Sequence, residues 1–414
     1  MYTGKESAKT IFIIFLIALA LFQTGGLWFN NVSRNFLTIF ASPVQSQNFS
    51  DYFVSPSKIL TSIGSNRFAV QYAPSPSYIN NLSNLFTLAL STEPYKISQF
   101  DVQLFAQRGI IYMYLFSMPT LAFLSHFNIN SDLSYTLPEF NKILIVPSEL
   151  ISNLIYLYFI GDSVVKYQIS SGDHATINNH IQNTHRDSIG TSLYYISTGL
   201  MGFNLTENMF LPRWWGDSFL YYSVNIYSYL NSNVYNLSDN TQVIHDFFQN
   251  PATVLSHERD GVYTFVDSAV TLRYHNNILI YENRTPGLGQ SSLLSDFNKA
   301  KTFINSNTNI SNNLILTSFT VGQDYTIFSF DYIINNFPVF IKNSEKHQWL
   351  QITVKNGHVN YFSMIALIFE LDTPINNYTI DLITLVDQMG LYITPRFGYI
   401  FNFENNSVQL NWYV

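Results

Sequence analysis

The feature that most constrains this chain is an uncharged, apolar segment close to its N-terminus. Lys5 and Lys9 precede a run from Thr10 to Ser33 that carries no charged side chain, and Ile, Leu, Phe and Ala dominate its first half. A helix of about 20 such residues is long enough to cross the hydrocarbon core of a bilayer. The sequence therefore predicts a cytoplasmic tail at residues 1–9, a transmembrane anchor at residues 10–29 and a large water-exposed body after them.

A cleaved signal peptide is the alternative interpretation of this segment. Ala18-Leu19-Ala20 matches the small-residue pattern of a cleavage site, although apolar residues continue beyond it as far as Phe29. Two lysines against one glutamate in the N-terminal tail favour a cytoplasmic N-terminus, which would place the body outside the cytoplasm. The sequence does not decide whether the anchor is retained or is cleaved after Ala20.

Charge and cysteine content narrow the possible functions. Charged residues make up 11% of the chain, and its formal net charge is −7. No basic patch is present, so nucleic-acid binding has no electrostatic basis. The chain has no cysteine, which excludes thiol catalysis and favours a bacterial envelope protein over a disulfide-rich extracellular one.

The order of the predicted elements indicates an α+β fold of antiparallel sheet with packed helices. Three runs, Val262–Val266, Val270–Tyr274 and Ile278–Tyr281, are separated by Asn, Asp and Ser and predict an antiparallel meander. Apolar residues between Leu293 and Ile304 recur at helical spacing. Asn356-Gly357 predicts a tight hairpin turn, because both residues tolerate positive φ. Helices and strands in separate groups are typical of α+β rather than doubly wound folds.

The length of 414 residues is typical of two or three domains, and we expect three extracytoplasmic domains. Their predicted bounds are residues 45–190, 191–290 and 291–414. Ala41–Ser62, rich in Ser, Gln and Pro, is predicted to be a linker into the first domain. Val359–Leu371 is predicted to be a single strand, and a helix containing Leu382 and Met389 is predicted to end at Gly390.

Two kinds of short motif resemble nucleophile sites. Ser55-Pro56-Ser57-Lys58 and Ser238-Asp239-Asn240 match the S-x-x-K and S-D-N motifs of penicillin-interacting enzymes. No K-T-G follows, and Pro56 disfavours the helix that the first motif requires. Gly161-Asp162-Ser163 and Gly216-Asp217-Ser218 lack the G-x-S-x-G pattern and predict turns. We therefore assign no catalytic residue.

The histidines form one cluster along the sequence. His174, His180 and His185 lie close to Asp173 and Asp187, and imidazole and carboxylate groups are suitable metal ligands. The three histidines do not share one face of a helix, because their separations do not match its repeat of 3.6 residues. The pattern predicts a polar connecting loop, with a metal site as the alternative, and we assign no metal and no cofactor.

Longer segments in order along the chain carry a family resemblance. They are the anchor KTIFIIFLIALALFQTGGLWF, Phe247–Asn283, Phe328–Phe340 with Leu350–Phe362, and the closing VQLNWYV. In these segments the chain resembles the YycH family, membrane-anchored regulators of the essential WalK-type sensor histidine kinase of bacteria. The shorter YycI family, which has a similar anchor and resembles the C-terminal part, is the second choice.

The YycH resemblance implies one anchor, a three-domain α+β body outside the cytoplasm, and no catalysis or cofactor. It also implies contact with a WalK-like kinase and with a YycI-like protein, and therefore a role in two-component signalling for cell-wall homeostasis. We expect Gln23, Thr24, Gly25, Gly26 and Trp28 to be the kinase-contacting part of the anchor, because small and polar residues allow close helix packing in membranes.

Other interpretations stay open at this point. The same anchor residues would also serve simply to end the membrane span. A cell-wall-directed hydrolase or binding protein is the second functional hypothesis, and a purely structural envelope protein is the third. The sequence does not specify whether a regulator of this kind activates or inhibits its kinase.

Overall fold

The structure is a computed structural model, and its described part starts at the body. The described residues are 50–72, 77–191, 193–201, 210–214, 221–228, 246–287, 289, 292–308, 313–335, 337–342, 348–375, 396–402 and 407–413. The chain divides into two compact units, Met1–Asn48 and Phe49–Val414. All of the described residues belong to the second unit.

A nine-stranded sheet, called here the first sheet, contains the N-terminal strands of the body. These are β1 (Lys58–Ser62), β2 (Phe68–Tyr72), β3 (Lys96–Ser98), β4 (Gly109–Pro119), β5 (Glu139–Pro147), β6 (Leu154–Ile160), β7 (Val164–Ser170), β8 (Leu193–Ser197) and β9 (Phe210–Trp214). Their spatial order is β3-β7-β6-β5-β4-β1-β2-β8-β9. All of these pairings are antiparallel.

Both faces of the first sheet are covered. The helices before and between its strands are α1 (Ser50–Val54), α2 (Ser77–Asn80), α3 (Ser83–Leu90), α4 (Thr120–His126), α5 (Leu133–Thr136) and α6 (Asp173–Thr191), with 3₁₀ turns at Val102–Ala106 and Gly199–Met201. Ile143 and Ile145 of β5 join one apolar cluster, whereas Leu144 and Val146 join another. Because successive side chains point to opposite faces, burial of both faces explains the unbroken apolar run of this strand.

The second sheet contains the C-terminal strands. These are β11 (Leu255–Arg259), β12 (Val262–Asp267), β13 (Val270–His275), β14 (Ile278–Asn283), β15 (Leu314–Val321), β16 (Tyr325–Ile334), β17 (Phe337–Ile341), β18 (Leu350–Lys355), β19 (His358–Ile365), β21 (Arg396–Asn402) and β22 (Ser407–Tyr413). Its order is β11-β12-β13-β14-β19-β18-β16-β17-β21-β22, and β15 pairs with β16. The pairing of β17 with β21 is parallel. The predicted meander is confirmed, since β12, β13 and β14 pair in sequence.

Helix α7 (Leu293–Asn307) confirms the helical spacing seen in the sequence. The Ser292 hydroxyl accepts a hydrogen bond from the Ser295 N–H at 3.4 Å and so caps the first turn. Phe297, Ala300 and Ile304 are buried on the face that packs against β16, β18 and β19. The apolar stripe of α7 is therefore its contact with the second sheet.

The hairpin predicted at Asn356-Gly357 is also confirmed. Asn356 has φ +46° and Gly357 has φ +75°, and the two residues connect β18 with β19. Positive φ at both central residues is the geometry of the type I′ turn, whose twist matches that of the flanking strands. Local backbone chemistry thus determines this turn.

The single strand predicted at Val359–Leu371 is wrong, because two strands occupy that range. Strand β19 ends at Ile365, and β20 (Leu367–Ile375) pairs instead with β10 (Tyr221–Ser228) in a two-stranded ribbon. At the break, the Ala366 N–H donates to the Asn277 carbonyl at 2.6 Å. Apolar residues continue through the break, so the sequence pattern does not reveal it.

Two further expectations need correction. The histidine-containing segment is helix α6 rather than a loop, and it is held by the buried side chains Ile177 and Ile181 on one face. The predicted linker Ala41–Ser62 contains α1 and β1, and β1 lies between β2 and β4 inside the first sheet. The helix predicted before Gly390 lies outside the described residues.

The apolar cores of the two sheets are continuous. One cluster of buried side chains includes Ile143 of the first sheet, Phe53 of α1, and Phe297 and Phe328 of the second half. Strands from residues 255–283 and from residues 314–413 share the second sheet. The domain boundaries near residues 190 and 290 stay predictions.

Candidate functional site

Helix α1 and the next three residues lie where the two sheets meet, beside a direct contact of β4 with β15. The term junction is used below for Tyr52–Val54 and Ser57 together with the residues that they touch on β4, α7 and β15. The junction is the candidate site because its side chains contact both sheets.

Phe53 is the centre of the junction. Its side chain is 0% exposed. Its ring centroid lies 5.7 Å from that of Phe116 on β4, 5.1 Å from that of Phe297 on α7 and 5.7 Å from that of Phe319 on β15. Aromatic pairs at such distances each contribute about 0.5–1.5 kcal/mol beyond simple burial. One side chain thus stabilises contacts to both sheets.

A hydrogen bond fixes the chain directly after Phe53. The Tyr114 hydroxyl of β4 donates to the Val54 carbonyl at 2.7 Å. The phenol is protonated at neutral pH and able to donate, and burial raises the pKa of Tyr114 well above its ordinary value of 10.0. Helix α1 is therefore held to the first sheet by a buried polar contact as well as by packing.

Ser57 connects the two sheets directly. Its hydroxyl donates to the Leu316 carbonyl of β15 at 3.2 Å. The same oxygen accepts a hydrogen bond from the Leu115 N–H of β4 at 3.2 Å. The serine is buried, and buried polar groups without partners cost free energy. This side chain satisfies one backbone group of each sheet at once.

Lys301 adds a buried charge to the junction. Its ammonium lies 4.9 Å from the ring centroid of Tyr52 on α1 and 5.8 Å from that of Phe330 on β16. Burial lowers the pKa of Lys301 from 10.5 to about 8, because desolvation disfavours the charged form. The aromatic rings offset part of that cost through cation–π attraction.

Asp296 places a buried acid on the same helix, α7. It accepts a hydrogen bond from the Thr326 hydroxyl of β16 at 2.9 Å. Together with Lys301 it gives α7 polar contacts to the second sheet in addition to its apolar stripe. The chemistry of the junction is therefore that of a structural contact, in which aromatic rings and one serine hold the two sheets together.

The S-x-x-K motif does not form a nucleophile site. Ser55 follows the end of α1, whereas Lys58 begins β1, so the two residues do not share a helix. The Lys58 ammonium lies 6.0 Å from the ring centroid of Tyr72.

Gly161-Asp162-Ser163 is the turn between β6 and β7, as predicted, with the Gly161 N–H donating to the Ser163 carbonyl at 3.0 Å. Ser238-Asp239-Asn240 and Gly216-Asp217-Ser218 lie outside the described residues.

The histidine cluster is dispersed along α6. The His174 Nε2 donates to the Ser148 carbonyl at 2.8 Å, whereas His180 packs edge-on against Tyr78 and His185 lies near Tyr194. Burial lowers the pKa of His180 below its ordinary value. Within the described part of the chain, no group of His, Cys, Asp or Glu side chains could hold a metal ion.

The residues proposed from the sequence as the kinase contact are Gln23, Thr24, Gly25, Gly26 and Trp28, and all five lie outside the described residues. None of the described helices is both long and apolar enough to cross a membrane. The anchor at residues 10–29 therefore stays a prediction.

The sequence argument missed Phe53 and Ser57, because both fall in the segment that was predicted to be a linker. Two signals in that segment could have revealed them. Tyr52, Phe53 and Val54 are consecutive large apolar residues, and Lys58–Ser62 has the β-branched character of a strand. Neighbouring residues in the sequence do not indicate which sheet these side chains contact.

Comparison with known proteins shows a likeness of fold. No family model and no curated protein sequence matches the chain. The crystal structure of YycH from Bacillus subtilis matches with a TM-score of 0.56, at 10% sequence identity, over 86% of this chain and 92% of that one. This chain has the YycH fold. At such low identity the likeness to YycH concerns the fold alone, and it confirms the fold that the sequence resemblance implied.

Proposed function

We propose that this protein is a membrane-anchored, non-enzymatic regulator of a WalK-type sensor histidine kinase. Its body would lie outside the cytoplasm, and it would act by contact with the kinase and with a YycI-like protein. The observation that supports the proposal is the YycH fold, which covers nearly the whole chain as well as nearly the whole YycH structure.

Regulation by contact requires a difference in binding free energy. A regulator shifts a kinase between signalling states only if it binds one state more tightly than the other. The proposed contact surface is the anchor, with Gln23, Thr24, Gly25, Gly26 and Trp28, because membrane helices associate through small and polar residues. The sign of regulation depends on which kinase state the anchor prefers.

In this proposal, the chain between the predicted anchor and the body would transmit the effect of kinase binding. The predicted anchor ends at Phe29, and α1 begins at Ser50. Any displacement that reaches α1 would act on Phe53, whose ring contacts both sheets. A partner bound to either sheet and a kinase bound to the anchor would then influence one another through the same side chain.

The proposal can be tested in the host strain with a reporter gene that depends on the WalK-type kinase. Deletion of the gene should change reporter output, and the wild-type gene should restore it. A second version carries an unrelated membrane anchor in place of residues 10–29, with membrane localisation of the product checked by fractionation. We expect this version to reach the membrane and yet fail to restore output.

Site-specific cross-linking adds a direct measurement of contact. A photo-cross-linking amino acid at Trp28 should capture the kinase in membranes, whereas the same group at Leu150 of the body should not. Reporter output that is unaffected by deletion, together with no kinase adduct from Trp28, would refute the proposed function. Full restoration by the unrelated anchor would instead assign the kinase contact to the body.

A further inference from the structure

Three exposed apolar side chains lie on neighbouring helices at one end of the first sheet. Tyr52 on α1, Leu121 on α4 and Tyr135 on α5 are 37%, 69% and 86% exposed. Helix α1 packs against α4, and α4 packs against α5. These three side chains are called here the apolar end surface. Large apolar side chains exposed on adjacent elements are typical of an interaction site.

Loose packing does not explain the exposure of Leu121. Helix α4 buries Phe123 and Leu124 on its other side, and Phe123 makes ring contacts to Phe86 at 5.2 Å and to Phe140 at 5.3 Å. The Thr120 N–H donates to the Pro138 carbonyl at 2.9 Å. A firmly held helix thus directs Leu121 away from the core.

The strand register places this surface at a defined end of the first sheet. Pro119 of β4, directly before α4, pairs with Glu139 of β5, and α1 precedes the β1 residue Lys58 at the same end. The opposite end is marked by the pair Pro147 and Ile155, beyond which the β5–β6 loop carries Leu150, 96% exposed. Leu150 therefore offers a matched comparison at the far end.

The chemistry of the surface suits the interfacial region of a bilayer. Between Pro119 and Leu137, Asp132 is the one formally charged residue when His126 is neutral, and no Lys or Arg is present. The charged residues that border the surface are Asp51 next to Tyr52, Glu139 opposite Pro119, and Lys301, whose ammonium lies 4.9 Å from the Tyr52 ring centroid. Tyrosine is enriched at membrane–water interfaces, and leucine gains free energy from burial there.

The short length of chain between the predicted anchor and α1 favours the same occupant. Ser50 begins α1, which carries Tyr52, and the residues between Phe29 and Ser50 can bridge at most about 70 Å when fully extended. Attachment at this point raises the effective concentration of the adjoining surface at the membrane. A weak apolar contact is then sufficient to orient the body.

We propose that the apolar end surface rests in the lipid interface of the membrane in which the chain is anchored. This contact directs the opposite end of the first sheet, with Leu150, away from the bilayer. The proposal depends on the membrane anchorage within the proposed function, and it is independent of the kinase.

The test uses the absence of cysteine from the chain, which allows single labels without background. Leu121→Cys, Tyr135→Cys and Leu150→Cys are made in the full-length chain and labelled with an environment-sensitive fluorophore. Each protein is reconstituted alone into phosphatidylethanolamine–phosphatidylglycerol vesicles, with and without doxyl-labelled phosphatidylcholine. Flotation of the vesicles reports anchorage separately from the emission of the label.

We expect labels at Leu121 and Tyr135 to shift their emission to the blue in vesicles and to lose intensity when doxyl lipid is present. The label at Leu150 should keep the emission of a water-exposed dye in both preparations.

Flotation with no quenching at Leu121 and Tyr135 overturns the lipid contact and leaves the anchorage intact. A blue shift without doxyl quenching also overturns it, because a second copy of the chain then covers the surface. A chain that does not float refutes the anchorage and, with it, this contact.

Discussion

Truncation of Phe53 is the sharpest perturbation that the structure suggests. Removing a fully buried phenylalanine side chain typically costs 3–5 kcal/mol, so we expect Phe53→Ala to lower the free energy of unfolding by about 4 kcal/mol. The compact unit Phe49–Val414 has an unfolding entropy of about 0.8 kcal/mol per degree near 60 °C, from about 2 cal/mol/K per residue. The melting temperature should therefore fall by about 5 °C if the body unfolds in one transition.

The control for Phe53→Ala is a phenylalanine of equal burial that contacts one sheet alone. Phe159 on β6 is fully buried, and its ring lies 5.2 Å from that of Phe140 and 5.9 Å from that of Phe123. Phe159→Ala should cost a similar free energy of unfolding. It should leave the contacts between the sheets in place, because all of its ring partners belong to the first half.

Hydrogen exchange separates these two variants. In Phe53→Ala, backbone amides of α7 and β15 should exchange faster than in the wild type, because Phe297 and Phe319 lose a common ring partner. In Phe159→Ala, those α7 and β15 amides that exchange through local opening should keep nearly the wild-type rate, while such amides of β5 and β6 exchange faster. Equal exchange of these locally opening amides in the two variants would refute the assignment of Phe53 as a connection between the sheets.

Three further substitutions test other parts of the structure. Ser57→Ala removes the hydroxyl that bridges Leu316 and Leu115 and should cost about 1–3 kcal/mol in chemical denaturation, whereas Ser125→Ala on the exposed side of α4 should be neutral. Lys301→Met should raise stability at pH 7. In the wild type the buried lysine releases its proton near pH 8, below the unfolded value of 10.5, so stability should rise by up to about 3 kcal/mol from pH 8 to 10.5. That rise should disappear in Lys301→Met and persist in Lys299→Met, as measured by urea denaturation across this pH range. Gly357→Ala places a side chain at φ +75° and should cost about 1–2 kcal/mol, whereas Gly172→Ala, where an added Cβ meets open space, should leave the melting temperature unchanged.

The parts of the fold that the sequence predicted well are those governed by nearby residues. The meander β12–β14, the apolar stripe of α7 and the turn at Asn356-Gly357 each depend on spacing or backbone preference within one element. The errors occurred where distant contacts override such patterns. Helix α6 has a polar sequence and forms because Ile177 and Ile181 find an apolar surface, and β20 leaves β19 at Ala366 because β10 supplies a different partner.

The candidate site illustrates the same division. Tyr52–Val54 are visibly apolar in the sequence, yet nothing close to them indicates that Phe53 contacts rings on β4, α7 and β15. The Ser57 hydrogen bond to Leu316 joins residues 259 positions apart. A short motif such as S-x-x-K, in contrast, suggested a catalytic arrangement that the strand at Lys58 does not allow.

The sequence by itself determined the class of fold, the predicted anchor and the local turns, because periodicity, charge and φ preferences act over a few residues. Only the tertiary structure decided that Ser50–Ser62, the described part of the predicted linker, is an integral part of the body. Its apolar side chains gain free energy by burial against whichever surfaces are brought to them. Those surfaces belong to two sheets that assemble from residues far along the chain.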